Sequence, residues 1–71
     1  MTIRNLEIFT RVADLGSMSA AAKSLYITQP SVSLAIAEIE KEYGVKLFDR
    51  IGNHLHLTPT GQQLLIYSSS I

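Results

Sequence analysis

Pro30 constrains this chain more than any other residue, because helix-forming sequence lies on both sides of it. Proline lacks a backbone N–H and its ring collides with the preceding turn, so a helix tolerates it only in the first turn. A helix over the run Ala20-Ala21-Ala22 must therefore end before Pro30, and a new helix must begin there. Helices are predicted over residues 19–25, with Ser19 as N-cap, and over residues 29–43. Tyr26-Ile27-Thr28 is the tight connection between them, and either Thr28 or Gln29 can cap the longer helix. Gly44 ends it.

The remaining punctuation divides the rest of the chain. Leu6, Phe9, Val12 and Ala13 recur at helical spacing among Arg4, Glu7, Arg11 and Asp14, which predicts a helix over residues 3–15 closed by Gly16. Leu47-Phe48-Asp49-Arg50-Ile51 and Leu55-His56-Leu57 flank the turn signal Gly52-Asn53, so residues 45–57 read as a β-hairpin. Thr58 followed by Pro59 starts a last helix over residues 58–71. Thr60-Gly61-Gln62-Gln63 spells a capping box two residues later. Leu64, Leu65, Ile66 and Ile71 then run to the end of the sequence with no C-cap, the pattern expected of a helix cut short. Residues 1–57 are thus expected to form one domain, and residues 58–71 the N-terminal part of a further helix.

A chain of 71 residues suits a single small domain that buries roughly 60% of the surface exposed when unfolded. Apolar residues make up 46% of it, enough for a packed core. With no cysteine, disulfides and thiolate metal sites are excluded. Six basic residues balance six acidic ones, so no basic excess advertises phosphate binding. Placement matters more than the sum: Glu38, Glu40 and Glu42 cluster, whereas Lys46 and Arg50 lie in a different segment. The N-terminus has no signal-peptide pattern and no apolar run approaches the ~20 residues of a membrane span, so a cytoplasmic protein without a membrane partner is expected. No enzyme and no cofactor are expected, since the chain has no cysteine nucleophile, Gly-rich phosphate loop or HExxH motif. His54 and His56 project from one face of a strand, but two histidines with no third ligand make a poor metal site.

Helix, short helix, tight turn, longer helix and hairpin, in that order, describe a mainly α winged helix-turn-helix fold. Such a fold works only if the longer helix buries one face and offers the other to the DNA major groove. At about 100° per residue, Val32, Ile36, Ile39 and Tyr43 share one arc, and Pro30, Leu34, Ala37 and Lys41 lie opposite with Ser33 on their flank. The N-terminal half carries no acid, so Thr28, Gln29, Ser31 and Ser33 suit a polyanionic groove. Gln29 matches the paired donor and acceptor of adenine, Ser31 and Ser33 match phosphate or base, and Leu34 matches a thymine methyl group. Lys46, Arg50, Asn53 and His54, in the wing, are placed for the flanking backbone or minor groove.

These residues also carry a family resemblance. Ser17-Met18-Ser19-Ala20-Ala21-Ala22-Lys23-Ser24-Leu25 resembles the second helix of LysR-type transcriptional regulators, and Ile27-Thr28-Gln29-Pro30-Ser31-Val32-Ser33 the start of their recognition helix. Ile39-Glu40, Gly44-Val45, Leu47-Phe48-Asp49-Arg50 and Leu57-Thr58-Pro59-Thr60-Gly61 follow in the family's order, so the resemblance runs from about Leu6 to Leu65. It implies DNA binding by dimers that pair through a long linker helix, here starting at Thr58. It also implies major-groove contacts from Gln29, Pro30 and Ser33. In such regulators a C-terminal domain similar to periplasmic binding proteins senses a small-molecule inducer; this chain lacks that domain and is expected to bind none. Leu34 stands where the family often has arginine, as do Asn53, His54 and His56 in the wing, and Met18 replaces a common phenylalanine. The lost charge implies weaker non-specific affinity and shallower salt dependence, or a site chosen by shape and apolar contact.

The function expected is sequence-specific binding of double-stranded DNA for transcriptional control, with residues 29–43 in the major groove and the wing, 46–57, alongside. Leu64, Leu65 and Ile71 can pack on the chain's own first helix or form a dimer seam; the missing C-cap favours the seam. The alternative is a winged-helix interaction module that no longer binds DNA, a reading that zero net charge favours.

Overall fold

The computed structural model describes residues 1–70, so the expectation for Ile71 lies outside the described residues. Each helix starts on a side-chain hydroxyl that accepts the N–H three residues on. Thr2 caps α1 (Ile3–Leu15), Ser17 caps α2 (Met18–Leu25), Thr28 caps α3 (Gln29–Tyr43) and Thr58 caps α4 (Pro59–Ser69). Each bond satisfies one donor that a helix start leaves without an intrahelical partner. Thr28 rather than Gln29 thus caps α3, which frees the Gln29 side chain for other partners. The cap of α2 is Ser17, not Ser19, because α1 ends at Gly16 and the chain re-enters helix at once. The capping box at Thr60 is not used, since Thr58 already holds the Gly61 N–H at 3.0 Å.

The ends of α1 and α3 fall on Gly16 and Gly44, both in the left-handed region. Tyr26 closes α2 in the same region, at φ 58°, where an L-side chain crowds its own carbonyl. Its ring is 95% exposed, so no packing offsets that cost.

α1, α2 and α3 pack around one core. It contains Ile8, Phe9 and Val12 of α1, Ala21 and Ala22 of α2, and Val32, Ala35, Ile36 and Ile39 of α3. The small alanines let the backbones of α2 and α3 approach closely. Leu47 and Phe48 close the core from below, with the Phe48 and Phe9 rings 5.5 Å apart. Tyr43 departs from expectation: it is 54% exposed. It stands on the same stripe as Ile36 and Ile39, but one turn beyond the reach of α1 and α2. There it borders a shallow groove of about 350 Å³ shared with Val45, Leu64 and Tyr67.

The hairpin pairs β1 (Phe48–Ile51) antiparallel with β2 (His54–Leu57), Phe48 opposite Leu57 and Ile51 opposite His54. Leu47, expected in the first arm, lies before the strand as a core residue. Gly52 alone carries positive φ in the two-residue turn, as in type II′ hairpins. Thr58 pins the root of the wing to α4. Its N–H donates to the Leu47 carbonyl at 3.0 Å and its hydroxyl donates to the Lys46 carbonyl. α4 presses so closely here that a Cβ on Gly61 would lie 2.2 Å from the Leu47 carbonyl oxygen and 2.9 Å from Leu57 Cδ2. Among the described residues, no helix is long and apolar enough to cross a membrane.

Two stability predictions follow from this packing. Gly61→Ala should cost about 2 kcal/mol, as overpacking against backbone does, and lower the midpoint of thermal unfolding by about 10 °C. Tyr26→Gly should raise stability by about 0.5–1 kcal/mol, because left-handed strain is released and no buried contact is lost. Circular dichroism melts of both variants check the two signs together.

Candidate nucleic-acid interface

With Val32, Ala35, Ile36 and Ile39 buried, helical geometry turns the other side of α3 outward. Thr28, Gln29, Pro30, Ser31, Ser33, Leu34, Ala37 and Lys41 are all exposed, as their spacing predicts. Leu34, at 61% exposure, is an apolar residue in the middle of this face. The polar residues around it are held by local bonds. The Thr28 and Ser31 hydroxyls lie 2.8 Å apart, the Ser33 hydroxyl donates to the Met18 sulfur at 3.5 Å, and the Ser19 hydroxyl donates to Gln29 Oε1 at 2.9 Å. Met18 and Ser19 thus tie α2 to the exposed face of α3, a coupling that spacing along either helix does not reveal.

Acidic groups stay off the first half of this face. Glu40 turns towards the core edge, where its carboxylate accepts the Leu47 N–H at 2.8 Å. Glu42 pairs with the terminal ammonium of Met1 at 2.6 Å. Three of the six acidic residues, Glu38, Glu40 and Glu42, thus lie in the C-terminal half of α3.

The wing has two unlike faces because strand side chains alternate. Phe48, Leu55 and Leu57 turn towards the core, with Arg50 on the same side of the sheet but exposed, while Asp49, Ile51, His54 and His56 are exposed on the outer face. The His54 and His56 rings stand edge to face, 6.3 Å apart. Arg50 and Asn53 line a polar cleft of about 120 Å³ with Ser17, Ser19 and Gln29. The fold thus brings together three residues singled out separately in the sequence: Gln29 of α3, and Arg50 and Asn53 of the wing. Lys46 and His54 are exposed but do not line this cleft.

A model of the lysR family of bacterial regulatory helix-turn-helix proteins matches residues 3–62. This chain belongs to that family. An uncharacterised HTH-type transcriptional regulator of Azotobacter vinelandii is 45% identical over 65 residues, covering 92% of this chain and 45% of that protein. Several solved neighbours are complexes with DNA. The BenM DNA-binding domain with catB site 1 DNA has a TM-score of 0.94 at 33% identity, covering 99% of this chain and 78% of that one. The CbnR DNA-binding domain with DNA has a TM-score of 0.92 at 34% identity, covering 99% and 80%. The chain spans less than half the length of the curated relatives it matches. The winged helix-turn-helix reading of the sequence is therefore the fold of this LysR-family domain.

The apolar residues of α4 divide between the chain's own core and the surface. Leu64 and Leu65 are half-buried against the chain's own core, and the Thr10 hydroxyl bonds Ser68 across the α1–α4 contact at 3.1 Å. Ile66 and Tyr67, at 71% and 58% exposure, are the outward apolar pair.

Exposed and buried faces of α3 should respond oppositely to truncation. Leu34→Ala should change stability by less than about 0.5 kcal/mol, whereas Ile36→Ala should cost about 2–4 kcal/mol. Urea unfolding of the two variants measures both.

Proposed function

We propose that this domain binds double-stranded DNA sequence-specifically, as part of a transcriptional regulator. The observation that carries this reading is the exposed, acid-free first half of α3, continuous with Arg50 and Asn53 across the polar cleft. A helix lies in the major groove with its N-terminal residues at the base edges. In that pose Gln29, Ser33 and Leu34 meet bases, Thr28, Pro30, Ser31 and Ala37 shape the contact, and Lys41 lies towards the phosphates. Arg50, Asn53, Lys46 and His54 approach the flanking backbone or minor groove. The DNA complexes of the BenM and CbnR domains support this assignment through their likeness in fold.

The domain acts as a homodimer paired through α4, with Ile66 and Tyr67 as its outward apolar contribution beside Leu64 and Leu65. Two recognition helices then meet half-sites about one helical turn or a multiple apart. Inducer sensing would belong to parts of a longer regulator outside these residues, in the cytoplasm.

Binding to a panel of AT-rich interrupted palindromes and scrambled duplexes, at several salt concentrations, tests the proposal. Lys41, Lys46 and Arg50 as phosphate contacts give a log K against log salt slope of about −3 per domain. Arg50→Ala should flatten that slope by about 1 without changing the preferred duplex. Gln29→Ala should abolish the preference while leaving the slope unchanged. A folded domain that binds no duplex at low salt overturns the proposal.

A further inference from the structure

α3 carries an apolar track on its outward side. Pro30, Leu34 and Ala37 follow one another at intervals of four and three residues, and all three are exposed. Leu34 is 61% exposed, whereas Val32, Ala35, Ile36 and Ile39 on the other side of the helix are buried. Pro30 and Ala37 are short, so Leu34 is the side chain that projects from the track. The core does not hold it there, since Leu34 belongs neither to the buried cluster nor to the residues packed against it. It stands in the acid-free half of α3, the part proposed above to enter the major groove.

A leucine side chain has no hydrogen-bond donor and no acceptor. Pressed against a polar base edge it strips water from groups that gain no bond in return, which is unfavourable. The major groove displays one apolar group, the C5-methyl of thymine; the other groups that distinguish the base pairs there are donors and acceptors. Cytosine methylated at C5 carries the same methyl group at the same place. Leu34 does not bond the O4 acceptor of thymine or the N4–H donor of 5-methylcytosine, so the methyl group is what it reads.

We infer that Leu34 is a specificity-determining residue that reads the C5-methyl group of a pyrimidine, so that 5-methylcytosine takes the place of thymine at that base pair while uracil and unmethylated cytosine do not. The domain is then responsive to cytosine methylation. The inference rests on the DNA-binding function proposed above and deepens it.

Selection from a pool of random duplexes with the wild-type domain and with Leu34→Ala locates the base, as the position whose thymine preference disappears in the variant. Affinities are then compared on the selected duplex with that one base changed. Replacing thymine by uracil should weaken wild-type binding about fourfold, and replacing cytosine by 5-methylcytosine should strengthen it about fourfold, the factor that burying one methyl group supplies. Leu34→Met, which stays apolar at similar volume, should keep both differences. Leu34→Ala should bind each pair equally, with an unchanged melting temperature, an effect that a structural role would not produce. Equal wild-type binding within either pair overturns the inference. So does a methyl dependence that survives Leu34→Ala, or a selection in which no thymine preference depends on Leu34. A wild-type selection that enriches nothing removes the proposed function itself and this inference with it.

Discussion

The connection between α2 and α3 sets everything downstream of it. Tyr26 takes the left-handed conformation, and the N–H of Ile27 returns to the Ala22 carbonyl at 3.0 Å, so the chain reverses within a few residues. Thr28 then caps a new helix that Pro30 is free to enter. Ala21 and Ala22 face Val32 and Ala35 with little side-chain bulk between the two backbones. A larger residue at any of these alanines would push the helices apart and rotate the outward face of α3.

From that reversal the reading surface follows by geometry. Burying Val32, Ala35, Ile36 and Ile39 leaves α3 one way to face, and the Glu40 bond to Leu47 fixes where its far end meets the wing. Thr58 and Gly61 hold the wing's root against α4, which sets Arg50 and Asn53 opposite Gln29. The cleft is thus assembled from segments far apart in sequence.

Much of this is legible in the sequence. Pro30, Pro59, Gly16, Gly44 and Gly52-Asn53 act locally through missing donors and permitted φ values, so the elements and their order could be read from single residues. The exposed face of α3 was legible because periodicity alone determines it. What sequence could not supply depends on docking. Ser17 and Ser19 are equal as caps until the end of α1 is known. Tyr43 shares the stripe of Ile39 but outruns the helices that would cover it. Gly61 looks like part of a capping box until α4 is laid against the Leu47 carbonyl. The Ser19–Gln29 bond needs the interhelical angle itself. Whether Leu64 and Leu65 meet the chain's own core also depends on how α4 docks.

The central claim is that one face of this domain, made of the first half of α3 and the inner side of the wing, meets DNA. Backbone amide shifts followed by NMR, as a selected duplex is added to the labelled domain, test it most directly. Changes concentrated from Thr28 to Ala37 and at Arg50 and Asn53, with α1 and the outer wing residue His56 little affected, are the predicted result. Changes confined to the groove bordered by Tyr43, Leu64 and Tyr67, with the first half of α3 silent, would contradict the account.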